Sequence, residues 1–113
     1  YINLHGTATP KNDAMEAIAV NSIFGENTPC SSVKGMIGHT LGAAGATEIG
    51  LCWLMMQNDN KTFIPHCWDH SIDTELAKIS LTNIGQISKK PFRYCLSNSF
   101  AFGGNNVSIL IGN

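Results

Sequence analysis

The chain has 113 residues, 43% hydrophobic and 13% charged, with a formal net charge of −1 and a pI near 6.4. These values describe one globular domain rather than a disordered tail. Its seven Lys and Arg residues are scattered, with only Lys89 and Lys90 adjacent, which argues against the concentrated basic face of a nucleic-acid groove.

The first residues, Tyr1 to Leu4, alternate weakly and end at His5-Gly6, as at the carboxyl end of a strand entering a loop. "HGTATPKND" is turn-forming. Asp13, with Glu16 three positions on, then has the N-cap and capping-box spacing of a helix start. Met15, Ile18, Ala19, Ser22 and Ile23 recur at helical spacing, and Gly25 suits the helix end. "CSSV" reads as a second short strand leaving through Lys34-Gly35 into a loop.

The spacing predicts a long helix from about Thr40 to about Asn58, with Gly42, Ala43, Ala46 and Gly50 forming a small-residue face for close packing. Its apolar part, Leu41 to Met56, is shorter than the roughly 20 residues that cross a bilayer and carries Thr47 and Glu48 near its middle. A buried core helix is therefore expected, and no membrane span. Between Asn58 and Lys78 the only candidate element is a short helix near Thr74. "KISLT" reads as a short edge strand, and "FRYCLSNSF" and "VSILIG" as two strands joined by "AFGGNN". The order β-α-β-α-loop-β-β places the chain in the α/β class.

Cys30, Cys52, Cys67 and Cys95 form no C-x-x-C pair, and no signal-peptide pattern opens the chain. They are expected to be reduced thiols of a cytoplasmic protein. The absence of an initial methionine suggests a piece of something longer. Cys30, on a strand rather than at a helix N-terminus, reads as a structural thiol and not a nucleophile.

His5 and His39 lie in glycine-flanked loops where one element hands over to the next, a usual place for functional groups in α/β folds. Singly each reads as an ordinary loop histidine. Lys34 near both would favour neutral imidazoles that each donate one hydrogen bond. "HCWDH", His66 to His70, would suit zinc only on a helix, and Pro65 speaks against one, so a packing loop anchored by Trp68 is the expectation and no metal site. The amides around Phe102-Gly103-Gly104 could cradle an oxyanion, although a glycine pair usually means a tight turn.

The succession "HGTATP", Asp13 and Glu16, "KGMIGHTLGAAGA" and "NSFAFGGNN" resembles the carboxyl-terminal half of the β-ketoacyl-acyl-carrier-protein synthases, the thiolase-fold condensing enzymes of fatty-acid and polyketide synthesis. The resemblance spans essentially residues 1–113. It implies an incomplete half of an αβαβα layered fold whose mixed sheet lacks its first strand and helix. It also implies an acyltransferase that joins an acyl thioester to malonyl-acyl-carrier protein by Claisen condensation. Carried over by motif, His5 and His39 are the catalytic histidines that stabilise the enolate formed as carbon dioxide leaves. Lys34 is the family lysine and Glu16 its buried carboxylate partner. Thr7 and Thr9 bind the phosphopantetheine arm, and Phe102, with Gly103 and Gly104, forms the gating loop.

By the same resemblance no cofactor is needed beyond the phosphopantetheine of the carrier protein. The implied partners are acyl carrier protein, the acyl and malonyl thioesters, the missing amino-terminal part of the enzyme, and a second subunit in a homodimer or partner-subunit heterodimer. The nucleophilic cysteine would lie in the missing half, so the fragment alone is expected to be inactive, to expose a sheet edge and to associate with other chains. The alternative is a noncatalytic, chain-length-factor-like partner of the same fold. Ala8, Val33, Ile37, Ala101 and Asn105 depart from the commonest family pattern. The combination looks more like synthases of bacterial secondary pathways, such as aryl polyene synthesis, than housekeeping enzymes.

Overall fold

A computed structural model describes all 113 residues. Five strands form one mixed sheet: β1 (Ile2–Asn3), β2 (Pro29–Ser31), β3 (Ser80–Leu81), β4 (Tyr94–Phe100) and β5 (Asn106–Gly112). Their spatial order is β3-β2-β1-β4-β5, parallel from β3 through β4, with β5 antiparallel to β4. The short "IN" of β1 is therefore the centre of the sheet, where both residues are buried and both edges are paired.

Parallel strands need cover on both faces, and the two cores supply it. On one face Ile2, Leu4 and Cys30 pack with Val20 of α1 (Pro10–Phe24). On the other, Cys95 packs with Cys52 and Met55 of α3 (Ala44–Met55) and with Phe63 and Phe92. Alternate side chains of β4 divide between the two, with Cys95 in one core and Leu96 against the other, which is the period of two written into "YCLSNSF". The chain is a three-layer α/β/α stack. Cys30 is buried in it and its thiol is pushed up to about 12 by that burial, as suits a structural residue.

Several boundaries differ from the sequence expectation for local reasons. Helix α1 begins at Pro10, not at Asp13, with Thr9 in the N-cap position and no side-chain cap bond. Proline tolerates the first helical turn because it has no N–H to satisfy there, and Asp13 instead places its charge near the positive end of the helix. The long helix expected from Thr40 opens as a 3-10 turn over Leu41–Ala43, and α3 runs from Ala44 to Met55. Leu41 has φ +51, outside the α region, so regular helix starts only beyond it.

The buried stripe of α3 is Ala44, Glu48, Cys52 and Met55, so the expected small-residue face is turned elsewhere: Gly42, Ala43 and Ala46 are exposed and nothing approaches Gly50. Gly45 makes the close contact, against Ser99. Lys34–Ile37 forms a one-turn helix, α2, rather than a loop, and the segment near Thr74 is a turn rather than a helix. β5 is an unpaired edge with Val107, Ile109 and Leu110 exposed, so apolar side chains stand open on both of its faces. No helix is long and apolar enough to cross a membrane.

Candidate functional site

β1, β2 and β4 are parallel, so their carboxyl ends open at the same edge of the sheet, where ligands of open α/β sheets bind. His5 follows β1, Ser32 to Lys34 follow β2, and Phe100 to Gly104 close β4. Residues as distant in sequence as His5 and Phe100 are thereby brought to one place. The ring centroids of His5 and His39 lie 5.6 Å apart with planes at 85°, and Phe100 stands edge-on to His5 at 5.5 Å.

His5 is buried and its Nδ1 has no partner. Burial is the larger cause and Lys34 the next in holding its pKa down to about 4, so the ring is neutral near pH 7. The sign follows: between pH 6.5 and about 4 the unfolded chain binds a proton at His5 that the folded one refuses. The contribution of His5 to stability is complete above pH 6.5 and is lost as pH falls toward 4. Denaturant midpoints of the full-length protein at pH 7 and pH 4.5 should differ more for the wild type than for His5→Asn, and an equal difference would contradict a neutral buried imidazole.

His39 is exposed, and its Nδ1 accepts the Leu41 N–H at 3.2 Å. The neutral ring therefore carries its proton on Nε2 and presents a donor on the opposite side. Leu41, which donates this bond, also has the left-handed φ of +51, so the histidine's tautomer and the unusual backbone belong to one turn.

Lys34 Nζ donates to the His5 carbonyl oxygen at 2.6 Å and pairs with Oε1 of Glu48. The partner expected from the resemblance, Glu16, does not meet it. Glu16 points from α1 to the other end of the histidine segment, where Oε1 accepts the His5 N–H at 2.8 Å and Oε2 the Gly6 N–H at 2.9 Å. Asn98 Nδ2 adds a third donor at 3.2 Å. Burial pushes the Glu16 carboxyl up while these three donors oppose the shift. Glu16 is thus satisfied by backbone, and the lysine needs another carboxylate. Glu48 supplies it from the buried stripe of α3, with Asn3 Nδ2 donating to its Oε2 at 3.3 Å.

Thr7 and Thr9 hydroxyls are hydrogen-bonded to each other at 2.8 Å, beside Ala8 in the left-handed region at φ +58. Phe102 is fully exposed, and Gly103 and Gly104, both at positive φ, turn the chain from β4 into β5. The glycines thus form the tight turn, and Phe102 stands clear of the histidines, with Phe100 in contact instead. Glu48, Asn98 and Phe100 escaped the sequence reading of the site. Glu48 lies on α3 just after the glycine and alanine run, and Asn98 and Phe100 flank Ser99 at the end of β4, so the period of helix and strand was the available signal.

A mixed sheet of this order, layered between helices with two imidazoles at its carboxyl edge, has the thiolase-like arrangement of ketosynthases. A β-ketoacyl synthase from Burkholderia phymatum superposes with a TM-score of 0.90 at 35% identity, over 100% of this chain and 27% of that one. A chain of the ketosynthase (ApeO) in complex with its chain length factor (ApeC), from Xenorhabdus doucetiae, gives 0.88 at 52% identity, over 99% and 28%. The family model of the β-ketoacyl synthase C-terminal domain matches residues 1–67, and the chain belongs to that family. It is 41% identical to 3-oxoacyl-[acyl-carrier-protein] synthase 1 of Haemophilus influenzae, covering 97% of this chain and 27% of that relative. The chain thus spans about a quarter of the length of the curated relatives it matches.

Proposed function

We propose that residues 1–113 are the carboxyl-terminal part of a decarboxylating condensing enzyme and supply the half of its active site that makes the carbon nucleophile. What carries this reading is the pair of adjacent, edge-on imidazoles, one held neutral by burial and Lys34, the other with its Nδ1 occupied by the Leu41 N–H and its Nε2 free to donate. In a malonyl thioester the bond from the α-carbon to the carboxylate breaks. Its electron pair moves toward the thioester oxygen as carbon dioxide departs. Hydrogen bonds from the two imidazoles to that oxygen would stabilise the enolate more than the starting carbonyl, which accelerates the step.

The enolate carbon then attacks an acyl thioester held by a cysteine elsewhere in the full-length protein, and that thiolate leaves. Thr7 and Thr9 lie beside the histidine segment and would receive the carrier protein's phosphopantetheine arm, with Phe102 to Gly104 as the gate. The open faces of β5 and the exposed apolar residues of α1 and α3 would be covered by the rest of the enzyme and a second subunit.

The full-length protein, given an acyl donor and malonyl-carrier protein, is expected to release carbon dioxide and form a β-ketoacyl thioester detectable by mass spectrometry. Absence of both products defeats the proposal. A chain-length-factor-like subunit is the second reading, favoured by the likeness to the ApeO and ApeC complex. It requires that product form only when a separate ketosynthase is added.

A further inference from the structure

The "HCWDH" segment has no part in the machinery described so far, and no group of three or more His, Cys, Asp or Glu side chains is placed to hold a metal ion. Its first residue does something else. His66 Nδ1 accepts the N–H of Ser32 at 3.1 Å. Ser32 is buried and is the junction of the site: its hydroxyl donates to the Gly6 carbonyl at 2.7 Å and accepts the Lys34 N–H at 3.3 Å. One imidazole thus holds a residue bonded both to the segment of His5 and to the turn that carries Lys34.

His66 is itself fixed. Its main-chain N–H donates to the Thr82 carbonyl at 3.0 Å, and the Ile64 carbonyl two residues earlier accepts from the hydroxyls of Thr82 at 2.7 Å and Ser31 at 3.0 Å. Cys67 then lies so close to α2 that a Cβ built at Gly35 would stand 2.8 Å from its own Cβ, so the segment presses directly on the turn that begins with Lys34. Burial lowers the His66 pKa, which favours the neutral ring, and the Ser32 N–H selects the tautomer in which Nδ1 accepts.

We propose that His66 is a positioning residue for Lys34 and His5, acting through the Ser32 amide. It touches no reacting atom. With it, the turn from β2 into α2 has one place for the lysine. Without its acceptor, the buried Ser32 N–H loses its partner and the turn relaxes. A misplacement on the order of 1 Å at a reacting group can lower a rate by about 100-fold, so a loss of about tenfold or more is expected from a partial shift.

The role in catalysis rests on the condensing-enzyme reading, whereas the positioning itself does not, and the test separates the two. His66→Leu removes the acceptor. His66→Asn keeps one, since its Oδ1 occupies the place of Nδ1. In the full-length protein, hydrogen exchange at the Ser32 amide should speed up in His66→Leu and return toward wild type in His66→Asn. Malonyl decarboxylation should fall about tenfold or more in kcat with little change in KM for His66→Leu, and recover in His66→Asn.

Unchanged Ser32 exchange in His66→Leu overturns the positioning, whatever the activity. Loss of activity to the same extent in both variants overturns its acceptor basis. If the wild type itself releases no carbon dioxide, the condensing-enzyme reading fails while the exchange result still decides the role of His66. Should His66→Leu not fold, His66→Gln replaces it, because its amide reaches the position of Nε2 rather than Nδ1.

Discussion

Glu48→Ala is expected to destabilise the full-length protein by about 3–5 kcal/mol in urea denaturation, because it leaves the Lys34 ammonium buried without its countercharge. The side chains of the pair are only 6% and 1% exposed, so solvent offers little compensation. Replacing both members, as Lys34→Met with Glu48→Leu, removes the unpaired charge and should recover most of that loss. A double-mutant cycle settles the partner: Lys34→Met coupled to Glu48→Gln should show a large interaction energy, and Lys34→Met coupled to Glu16→Gln a small one. The reverse pattern would restore Glu16 as the partner and contradict the geometry. Glu16→Gln should still be harmful, because the amide can accept only through one atom where the carboxylate now receives the His5 and Gly6 amides on both oxygens.

His39→Ala carries the largest expected effect on chemistry. Loss of one donor to a developing oxyanion typically costs about 100- to 1000-fold in kcat, and malonyl decarboxylation should fall by that order. In the proposed reaction, transfer of the acyl group onto the cysteine of the full-length protein should be largely unaffected, because it forms no enolate. Measuring labelled carbon dioxide release beside acyl-enzyme formation by mass spectrometry distinguishes the two steps. Carbon dioxide release at the wild-type rate would refute the role of His39, and a parallel loss of acylation would show that the substitution disturbs more than the donor. His39 makes no packing contact in the two hydrophobic cores of residues 1–113, so the protein should retain its denaturation midpoint.

Both outcomes bear on how much of the site could be read from the chain. His5, Lys34 and His39 were legible because each sits in a short segment whose glycines and neighbours announce a handover between elements. The strands from Ser80 and from Tyr94 were legible because alternation and turn residues are local signals. The start of α1 was misplaced because Asp13 and Glu16 have the spacing of a capping box, while Pro10 already suits the first turn. Glu16 then served two candidate roles in sequence, cap and lysine partner, and performs neither. Its carboxylate reaches back along α1 to the amides of His5 and Gly6, a contact set by the packing of that helix on the sheet.

Glu48 was visible only as a charge that made a membrane span implausible. Whether it faces the sheet depends on where α3 begins, and the positive φ at Leu41 moves that start and with it the whole buried stripe. His66 is a stronger case. Its neighbours suggested a metal cluster or a packing loop, and its function as an acceptor for Ser32 depends on the main chain of 64–66 being pinned to Thr82 and Ser31.

The sequence by itself therefore determined most of the strands and the two long helical segments, the family motifs and the positions of the two histidines, because periodicity, turn chemistry and motif spacing act within a few residues. The tertiary structure alone decided which carboxylate neutralises Lys34, what Glu16 holds and what His66 supports. Those are pairings between layers, and they depend on helix phase and on the parallel order that gathers β1, β2 and β4 at one edge.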